Sequence, residues 1–287
     1  MKSDEFRHAT GTKTYYPLLM GLVGASRPYQ YSYMPRVEFD RLMDVPEMMR
    51  VYWFEILERA HCAAIAAIVR LERWLDAMRV AAELENFLGF AASFRGLLES
   101  AADTRYALGD VPEALASTFA YVYKAIRGKA TVAILAPDLE NDLIHFSHGR
   151  KLKSNEDAPE SHAARTMREY LNTLQGAAAG PLHQCYTELC NVTHPAADSV
   201  CYLLEKDESG AIRFRNGADE AAIQDLCART GTVVTFAVSE SLVYPLLILR
   251  ILNRLEVPEL RTAAAEDISL EHLSSWQEIE SWLRNAD

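Results

Sequence analysis

The chain has few cysteines for its length, and they form no recognisable pattern. Five cysteines occur in 287 residues, and no Cys-x-x-Cys pair is present. A disulfide framework normally has an even set of cysteines, so we expect a protein of the reducing cytoplasm. The apolar stretch 18–26 could be taken for an export signal, but it follows Asp4, Glu5, His8 and Pro17 instead of a short basic leader. We therefore expect no secretion.

Common catalytic and metal-binding motifs are missing as well. The chain has no GxGxxG, no GxxxxGK[ST], no GxSxG and no HExxH. Nucleotide-binding, α/β-hydrolase and zinc-protease assignments are therefore without a supporting pattern. His183 and His194 are about 16 Å apart along a helix axis, too far to share an ion. We expect no metal and no cofactor.

Positive charge and long apolar runs are also scarce. Acidic residues number 40 against 29 basic ones, a net charge of −11, which disfavours binding to phosphate backbones or anionic membranes. The most apolar stretch, 233–252, is interrupted by Glu240, Pro245 and Arg250, so it lacks the run of about 18 apolar residues typical of a membrane span. We expect a buried helix, kinked at Pro245, and no membrane association.

Most of the chain shows apolar residues repeating at helical spacing. Apolar residues at helical spacing predict helices over 46–78, about 80–108, Pro112 to just before Gly128, 137–148, 160–176, the region around 183–194, 219–255 with a break near Gly231, and a last helix from about Ser269. The predicted fold class is all-α, a helical bundle with one small β-hairpin.

The hairpin is predicted where the periodicity changes. Residues 199–217 contain two short β-type runs around the turn sequence KDESG. In this register Ile212 and Phe214 are expected on the buried face, with Arg213 and Arg215 outside. Asp219 follows and is expected to cap the next helix.

The first 36 residues differ from the rest of the chain. They show no clear helical periodicity and contain three prolines and five of the thirteen tyrosines. A disordered tail is normally poor in aromatic residues. We therefore predict an irregular arm over 1–36, lying on the protein's own surface or on a partner subunit. Residues 37–287 are predicted to form a single helical-bundle domain with the hairpin near 200–215.

The most informative segment is residues 183–198, HQCYTELCNVTHPAAD. On a helix, His183, Tyr186, Cys190 and His194 fall within roughly 80° of one another. Pro195 disfavours helical geometry at the preceding residue, which places His194 in the last turn. There its side chain is expected to satisfy helix-terminal carbonyls.

Two readings of the neighbouring polar residues stay open. Arg95 and Glu99 are four residues apart and form either a surface ion pair or the mouth of a groove facing the histidine helix. Cys190 and His194 form either a nucleophilic dyad or, as the C-terminal helix position favours, a buried cysteine with a capping histidine. We predict that Tyr186 and His194 face Arg95 and Glu99, with Glu99 accepting a hydrogen bond or pairing with Arg95.

The order FRGLLE (94–99), YTELCNVTHP (186–195), a hairpin and a long apolar helix resembles a bacterial family of uncharacterised helical proteins. That family is distantly similar to HEPN domains, which occur in toxin–antitoxin and antiphage systems. HEPN ribonucleases carry Arg-x(4–6)-His, whereas positions 187, 188 and 189 here are Thr, Glu and Leu. The resemblance implies an acid/base role for His194, with Arg95 contributing the phosphate-binding charge from another helix.

Two functions follow as hypotheses. The first is a non-enzymatic helical-bundle protein that binds a protein partner or small ligand in a groove between two helices, through Arg95, Glu99, Tyr186, Cys190 and His194. We expect a bacterial cytoplasmic protein in a defence or toxin–antitoxin setting, which forms a homodimer or another homo-oligomer. The alternative is a HEPN-type, metal-independent endoribonuclease with His194 and Arg95 as catalytic residues, and only this alternative has RNA as a partner.

Overall fold

A computed structural model describes residues 1–26, 28–174, 179–195 and 197–284. Most of the described residues are helical, and the strands β1 (Leu204–Lys206) and β2 (Ile212–Phe214) form an antiparallel hairpin. The fold class, an all-α bundle with one small hairpin, is confirmed. In chain order the helices are α1 (Ser3–Ala9), α2 (Tyr15–Ser26), α3 (Arg36–Phe39), α4 (Val45–Glu83), α5 (Phe87–Leu108), α6 (Val111–Ser117), α7 (Phe119–Ala125), α8 (Pro137–His148), α9 (Met167–Thr173), α10 (Ala179–Thr193), α11 (Asp198–Cys201), α12 (Ala218–Arg254) and α13 (Ser274–Arg284).

The chain divides into two compact units, each with its own apolar core. Unit 1 comprises residues 1–20, 69–105 and 166–242, and unit 2 comprises 21–68, 106–165 and 243–287. The apolar positions that repeat at helical spacing are buried, as the periodicity predicts. In unit 1 they include Leu71, Leu75, Phe90, Phe94 and Leu98, and in unit 2 Trp53, Leu57, Ile248, Leu249 and Trp276. A single domain over 37–287 stays a prediction.

The expectation of an irregular arm over residues 1–36 is wrong, because α1 and α2 lie within it. Phe6 on α1 is fully buried in unit 1 and packs edge-to-face against Phe90, with ring centroids 6.3 Å apart. Pro17 occupies the first turn of α2, where its missing amide proton costs no intrahelical hydrogen bond. Short helices with few periods give weak sequence patterns, and tertiary burial of residues such as Phe6 stabilises them here.

Tyr29 and Tyr31, which follow α2, belong to a polar network in unit 2 around the buried His61 and Thr262. The Tyr29 hydroxyl donates to the Arg261 carbonyl (2.8 Å) and lies 3.0 Å from Thr262 Oγ1. His61 Nε2 lies 2.9 Å from Thr262 Oγ1, and the Tyr31 hydroxyl lies 2.8 Å from His61 Nδ1. Since each hydroxyl has one proton, the Thr262 hydroxyl donates to Tyr29, His61 Nε2–H donates to Thr262, and Tyr31 donates to His61 Nδ1. Burial also lowers the pKa of His61 to about 4.

The predicted burial of the hairpin is wrong, although its position is confirmed. Leu204 pairs with Phe214 and Lys206 pairs with Ile212. The side chains of Ile212 and Phe214 are 64% and 76% exposed. Alternation along a strand predicts a buried face only where another layer covers the strand, so the pattern alone could not establish burial.

Asp219 does not act as the cap predicted from its position. It lies inside the first turn of α12, and its Oδ1 accepts a hydrogen bond from the backbone amide of Phe87, at the start of α5, at 2.9 Å. The Tyr202 hydroxyl donates to the same oxygen at 3.2 Å. Asp219 therefore satisfies a free amide of a different helix in unit 1, a partner that local sequence cannot specify.

Helix α12 is continuous through Gly231, so the predicted break near this residue is wrong. A Cβ atom at Gly231 would lie 2.5 Å from the carbonyl oxygen of Ala9. The glycine is therefore a point of close approach between α12 and the end of α1, within unit 1. The helix also continues past Pro245.

Helix α12 is long and apolar enough to cross a membrane by length and composition alone. In its most apolar 18-residue window, 61% of the residues are buried inside the protein. That burial is typical of the central helix of a bundle, in which apolar residues surround the whole helix.

Several predicted helix boundaries change in the structure. The helix predicted after Pro112 is divided at Thr118 into α6 and α7. The region predicted as a helix over 160–176 contains a 3₁₀ turn at Glu160–His162 and then α9, and its last two residues lie outside the described residues. The final helix begins at Ser274 rather than near Ser269.

Candidate functional site

The candidate site in unit 1 begins with two charged residues on α5. Arg95 Nε donates to Glu99 Oε1 at 3.0 Å, an ion pair across one helical turn. The side chains are 29% and 30% exposed, so neither charge is removed fully from water. Phe94 and Leu98, their apolar neighbours, are fully buried and anchor this face of the helix.

Tyr186 on α10 connects that helix to Glu99. Its hydroxyl donates to Glu99 Oε1 at 2.9 Å. Burial, followed by the hydrogen bond and the negative charge of Glu99, raises the pKa of Tyr186 well above its usual value. Cys190 lies near enough to Tyr186 to contribute to this rise in pKa.

The C-terminal end of α10 contacts the guanidinium group from the other side. Arg95 Nη1 donates to Thr193 Oγ1 at 3.0 Å and lies 3.5 Å from His194 Nε2. Thr193 gives its own proton to the Leu189 carbonyl at 2.7 Å, so its oxygen is free to accept from Arg95. His194 follows the last residue of α10 and is exposed, with its backbone amide bonded to the Cys190 carbonyl.

We call Arg95, Glu99, Tyr186, Thr193 and His194 the Arg95 cluster. The predicted juxtaposition is confirmed, since Glu99 pairs with Arg95 and accepts a hydrogen bond from Tyr186. Arg95 and Glu99 were expected to form either a surface ion pair or a group that faces the histidine helix. They form a partly exposed ion pair, and they also face that helix. The predicted role of His194 as a carbonyl cap is wrong, because among the described residues its side chain contacts Arg95 and no carbonyl group.

His183 and Cys190, which were predicted on the same polar face of α10 as Tyr186 and His194, are not members of the Arg95 cluster. The side chain of His183 makes no hydrogen bond to any residue that the structure describes, and it is not part of the Arg95 cluster. Cys190 lies beside Tyr186, while His194 Nε2 meets a guanidinium group. No described contact joins the Cys190 thiol to the His194 ring, so the reading of a nucleophilic dyad has no geometric support.

Thr193 is the member of the cluster that sequence reasoning missed. Thr193 is the last residue of α10, and its hydroxyl accepts a hydrogen bond from Arg95. Threonines in the last turn of a helix commonly bond the carbonyl four residues earlier, as Thr193 does. That local pattern could have been recognised from the sequence, whereas the contact with Arg95, 98 residues away, could not.

The charges around α10 are largely compensated. Arg229 on α12 makes a two-pronged ion pair with Glu188 on α10, with N–O distances of 2.9 and 2.6 Å. Arg229 also donates to Asp225 at 2.9 Å. Together with the Arg95–Glu99 pair, these contacts match each arginine with at least one carboxylate, so the described ion pairs here do not form a basic rim.

The histidine, cysteine and carboxylate side chains that the structure describes do not cluster as metal ligands do. Among residues 1–26, 28–174, 179–195 and 197–284, no group of three or more histidine, cysteine, aspartate or glutamate side chains converges closely enough to hold an ion. His145 and His148, spaced three apart on α8, have separate neighbours. His145 Nδ1 lies 3.0 Å from the Ser161 carbonyl, while the His148 ring stacks on that of His162.

Comparison of the chain with protein-family models, curated proteins and solved structures gives no match.

Proposed function

We propose that the protein is a non-enzymatic helical-bundle protein that binds a protein partner or a small ligand at the Arg95 cluster. The observation that carries this proposal is the state of the Arg95 guanidinium. Glu99 and Thr193 hold Nε and Nη1 in place, while Nη2 makes no hydrogen bond to any described residue. A positioned, partly exposed donor group suits recognition of a carboxylate or an amide carbonyl.

The surroundings of Arg95 support binding rather than a purely structural pair. His194 is exposed and lies 3.5 Å from Arg95 Nη1, so it adds a second polar group beside the guanidinium. Tyr186 and Thr193 are each fixed by a hydrogen bond of their own. Binding therefore requires little ordering of these side chains, which lowers the entropic cost of complex formation.

The test is native mass spectrometry of protein isolated from its own cells, with Arg95→Gln beside the wild type and Arg229→Gln as the matched control. Arg229 is also a partly exposed arginine paired with carboxylates, but it lies outside the Arg95 cluster. We expect a bound protein or small molecule with the wild type and with Arg229→Gln, and its loss with Arg95→Gln. The same bound species on all three proteins, or on none of them, would contradict the proposal.

One observation favours the second candidate, a metal-independent endoribonuclease of HEPN type. Arg95 approaches His194 from another helix to within 3.5 Å, as the resemblance requires of a substitute arginine. In such an enzyme His194 would exchange protons with the 2′-hydroxyl or the leaving oxygen, and Arg95 would stabilise phosphate charge. The compensation of Arg95 by Glu99 and the net charge of −11 favour the binding function.

A mixed RNA pool incubated in EDTA distinguishes the two candidates. The binding function predicts that neither the wild type nor His194→Ala cleaves the RNA. Cleavage by the wild type alone, with equal melting temperatures for the two proteins, would establish the nuclease instead.

The biological setting belongs to the same proposal. We propose a cytoplasmic bacterial protein, in a defence or toxin–antitoxin context, as the HEPN-like resemblance implies. The five cysteines are free thiols of varied exposure, which is compatible with a reducing compartment. A homo-oligomeric state stays a prediction, and sedimentation analysis of the full chain tests it.

A further inference from the structure

Unit 2 contains a polar cavity that the proposed function does not use. Its volume is about 320 Å³, within the range of small-ligand sites. Helix α8 and the segment that follows it supply most of the polar wall. The polar side chains on which the inference rests are Tyr106, Asn141, Asp142, His145, Glu160 and Arg165.

Backbone contacts hold the two walls of this cavity together. The Arg150 amide donates to the His162 carbonyl, and the Ala164 amide donates to the Arg150 carbonyl, both at 2.9 Å. The side chain of His145 on α8, which is 7% exposed, reaches the Ser161 carbonyl at 3.0 Å. The segment 159–165 is therefore fastened to the end of α8, and the cavity is a built feature rather than a gap beside a loose loop.

Asp142 in this cavity has no hydrogen-bond donor or counter-ion among the residues that the structure describes. Burial, and then the negative charges of Asp110 and Asp138, raise its pKa to about 6. A half-buried carboxylate without a donor is costly, and a ligand can supply the missing donor.

The arginine in the same wall does not compensate Asp142. Arg165 Nη2 donates to Glu160 at 3.3 Å, and its Nε donates to the Tyr106 hydroxyl at 3.1 Å. The positive charge of Arg165 is thus matched by Glu160, which leaves one formal negative charge on the lining groups when Asp142 is ionised. Asp110 and Asp138 add to the negative potential. The cavity therefore favours a cation over an anion.

We propose that this cavity binds a small organic cation with a primary ammonium group, for which Asp142 is the counter-ion. An ammonium group has three donors, which match the carboxylate of Asp142 and the amide oxygen of Asn141. Tyr106 also lines the cavity, and tyrosine is a residue type that attracts cations. The described residues offer no converging set of three metal ligands, so an ammonium ion fits this chemistry better than a divalent metal ion.

The test is calorimetric titration of the full chain with putrescine (butane-1,4-diamine), using succinate and magnesium chloride as comparison ligands. The variant is Asp142→Asn, which keeps the size of the side chain and removes its charge. The matched control is Asp157→Asn, which changes an exposed aspartate outside the cavity. We expect putrescine to bind the wild type and Asp157→Asn equally, and to bind Asp142→Asn at least about tenfold more weakly.

Equal weakening by both substitutions would show attraction to net charge alone and would overturn the proposal. Binding of magnesium without putrescine, binding of succinate, or no binding would also overturn it. A second measurement uses only the wild type, in which carbon-detected NMR follows the Asp142 carboxyl as pH changes. Putrescine should lower the pKa of Asp142 by about one pH unit or more, because a bound cation stabilises the ionised form. An unchanged pKa would contradict the site even if Asp142→Asn failed to fold.

Discussion

The hydroxyl group of Tyr186 donates a hydrogen bond to Oε1 of Glu99 over 2.9 Å, across 87 residues of sequence. The same oxygen accepts a hydrogen bond from Arg95 Nε at 3.0 Å. One carboxylate therefore couples α5 to α10 and restrains the guanidinium that carries the proposed binding function.

Removal of the Tyr186 hydroxyl should weaken this coupling measurably. We expect Tyr186→Phe to lower the free energy of unfolding by about 1–2 kcal/mol, because a partly buried carboxylate loses one charged hydrogen bond. Urea unfolding measures the change. Tyr15→Phe is the control, since the Tyr15 hydroxyl makes no hydrogen bond to the described residues, and it should change stability by less than about 0.5 kcal/mol. Equal effects of the two substitutions would contradict the assigned role of Tyr186.

The substitution His194→Ala should have little effect on stability. His194 is exposed, and its contact with Arg95 is 3.5 Å long, so we expect a loss of less than about 0.5 kcal/mol. Binding measured by native mass spectrometry should nevertheless weaken, because His194 lies beside the Arg95 guanidinium at the proposed binding site. A fall in melting temperature as large as that of Tyr186→Phe would indicate a structural role for His194 instead.

A methyl group at position 231 should be destabilising, although alanine favours helices. In Gly231→Ala the new Cβ would lie 2.5 Å from the Ala9 carbonyl oxygen, so α1 or α12 must shift. We expect a net loss of about 1–3 kcal/mol. Gly21→Ala on α2 is the matched control because its Cβ would meet nothing within 4 Å. That substitution should raise stability by about 0.4–1 kcal/mol, and a similar gain for Gly231→Ala in thermal unfolding would disprove the close approach.

The neutral His61 ring should make stability depend on pH between 7 and 4. Burial lowers its pKa from 6.5 to about 4, so the unfolded chain binds a proton here at a higher pH than the folded chain does. The free energy of unfolding that depends on a neutral His61 is fully present above pH 6.5. It is lost as the pH falls towards 4, by about 3 kcal/mol in total.

Urea unfolding at several pH values tests this expectation with His61→Gln, which cannot acquire the proton. Its stability should fall less steeply than that of the wild type between pH 7 and 4. His8→Gln changes an exposed histidine and should retain the wild-type slope. Parallel curves for the wild type and His61→Gln would contradict a buried, neutral His61.

Part of the candidate site was predictable from local spacing. Arg95 and Glu99 are one turn apart on a strongly periodic helix, and Tyr186 and His194 share a face of the next polar-striped helix. A polar stripe beside apolar residues tends to meet another such stripe, because isolated buried polar groups are costly. The contacts of Thr193 with Arg95 and of Asp219 with Phe87 depend on how distant helices are placed, which spacing does not describe.

The sequence by itself determined the all-α class, the long helices and the position of the hairpin, since these depend on periodicity and turn residues within one segment. Tertiary structure alone decided that residues of the predicted arm form helices and bury Phe6, and that Ile212 and Phe214 are exposed. It also decided that Gly231 is needed beside Ala9 and that Asp142 lacks a partner among the described residues. The physical reason is that burial and hydrogen-bond partnership depend on groups brought together from distant positions, and the pattern within a segment does not specify which groups those are.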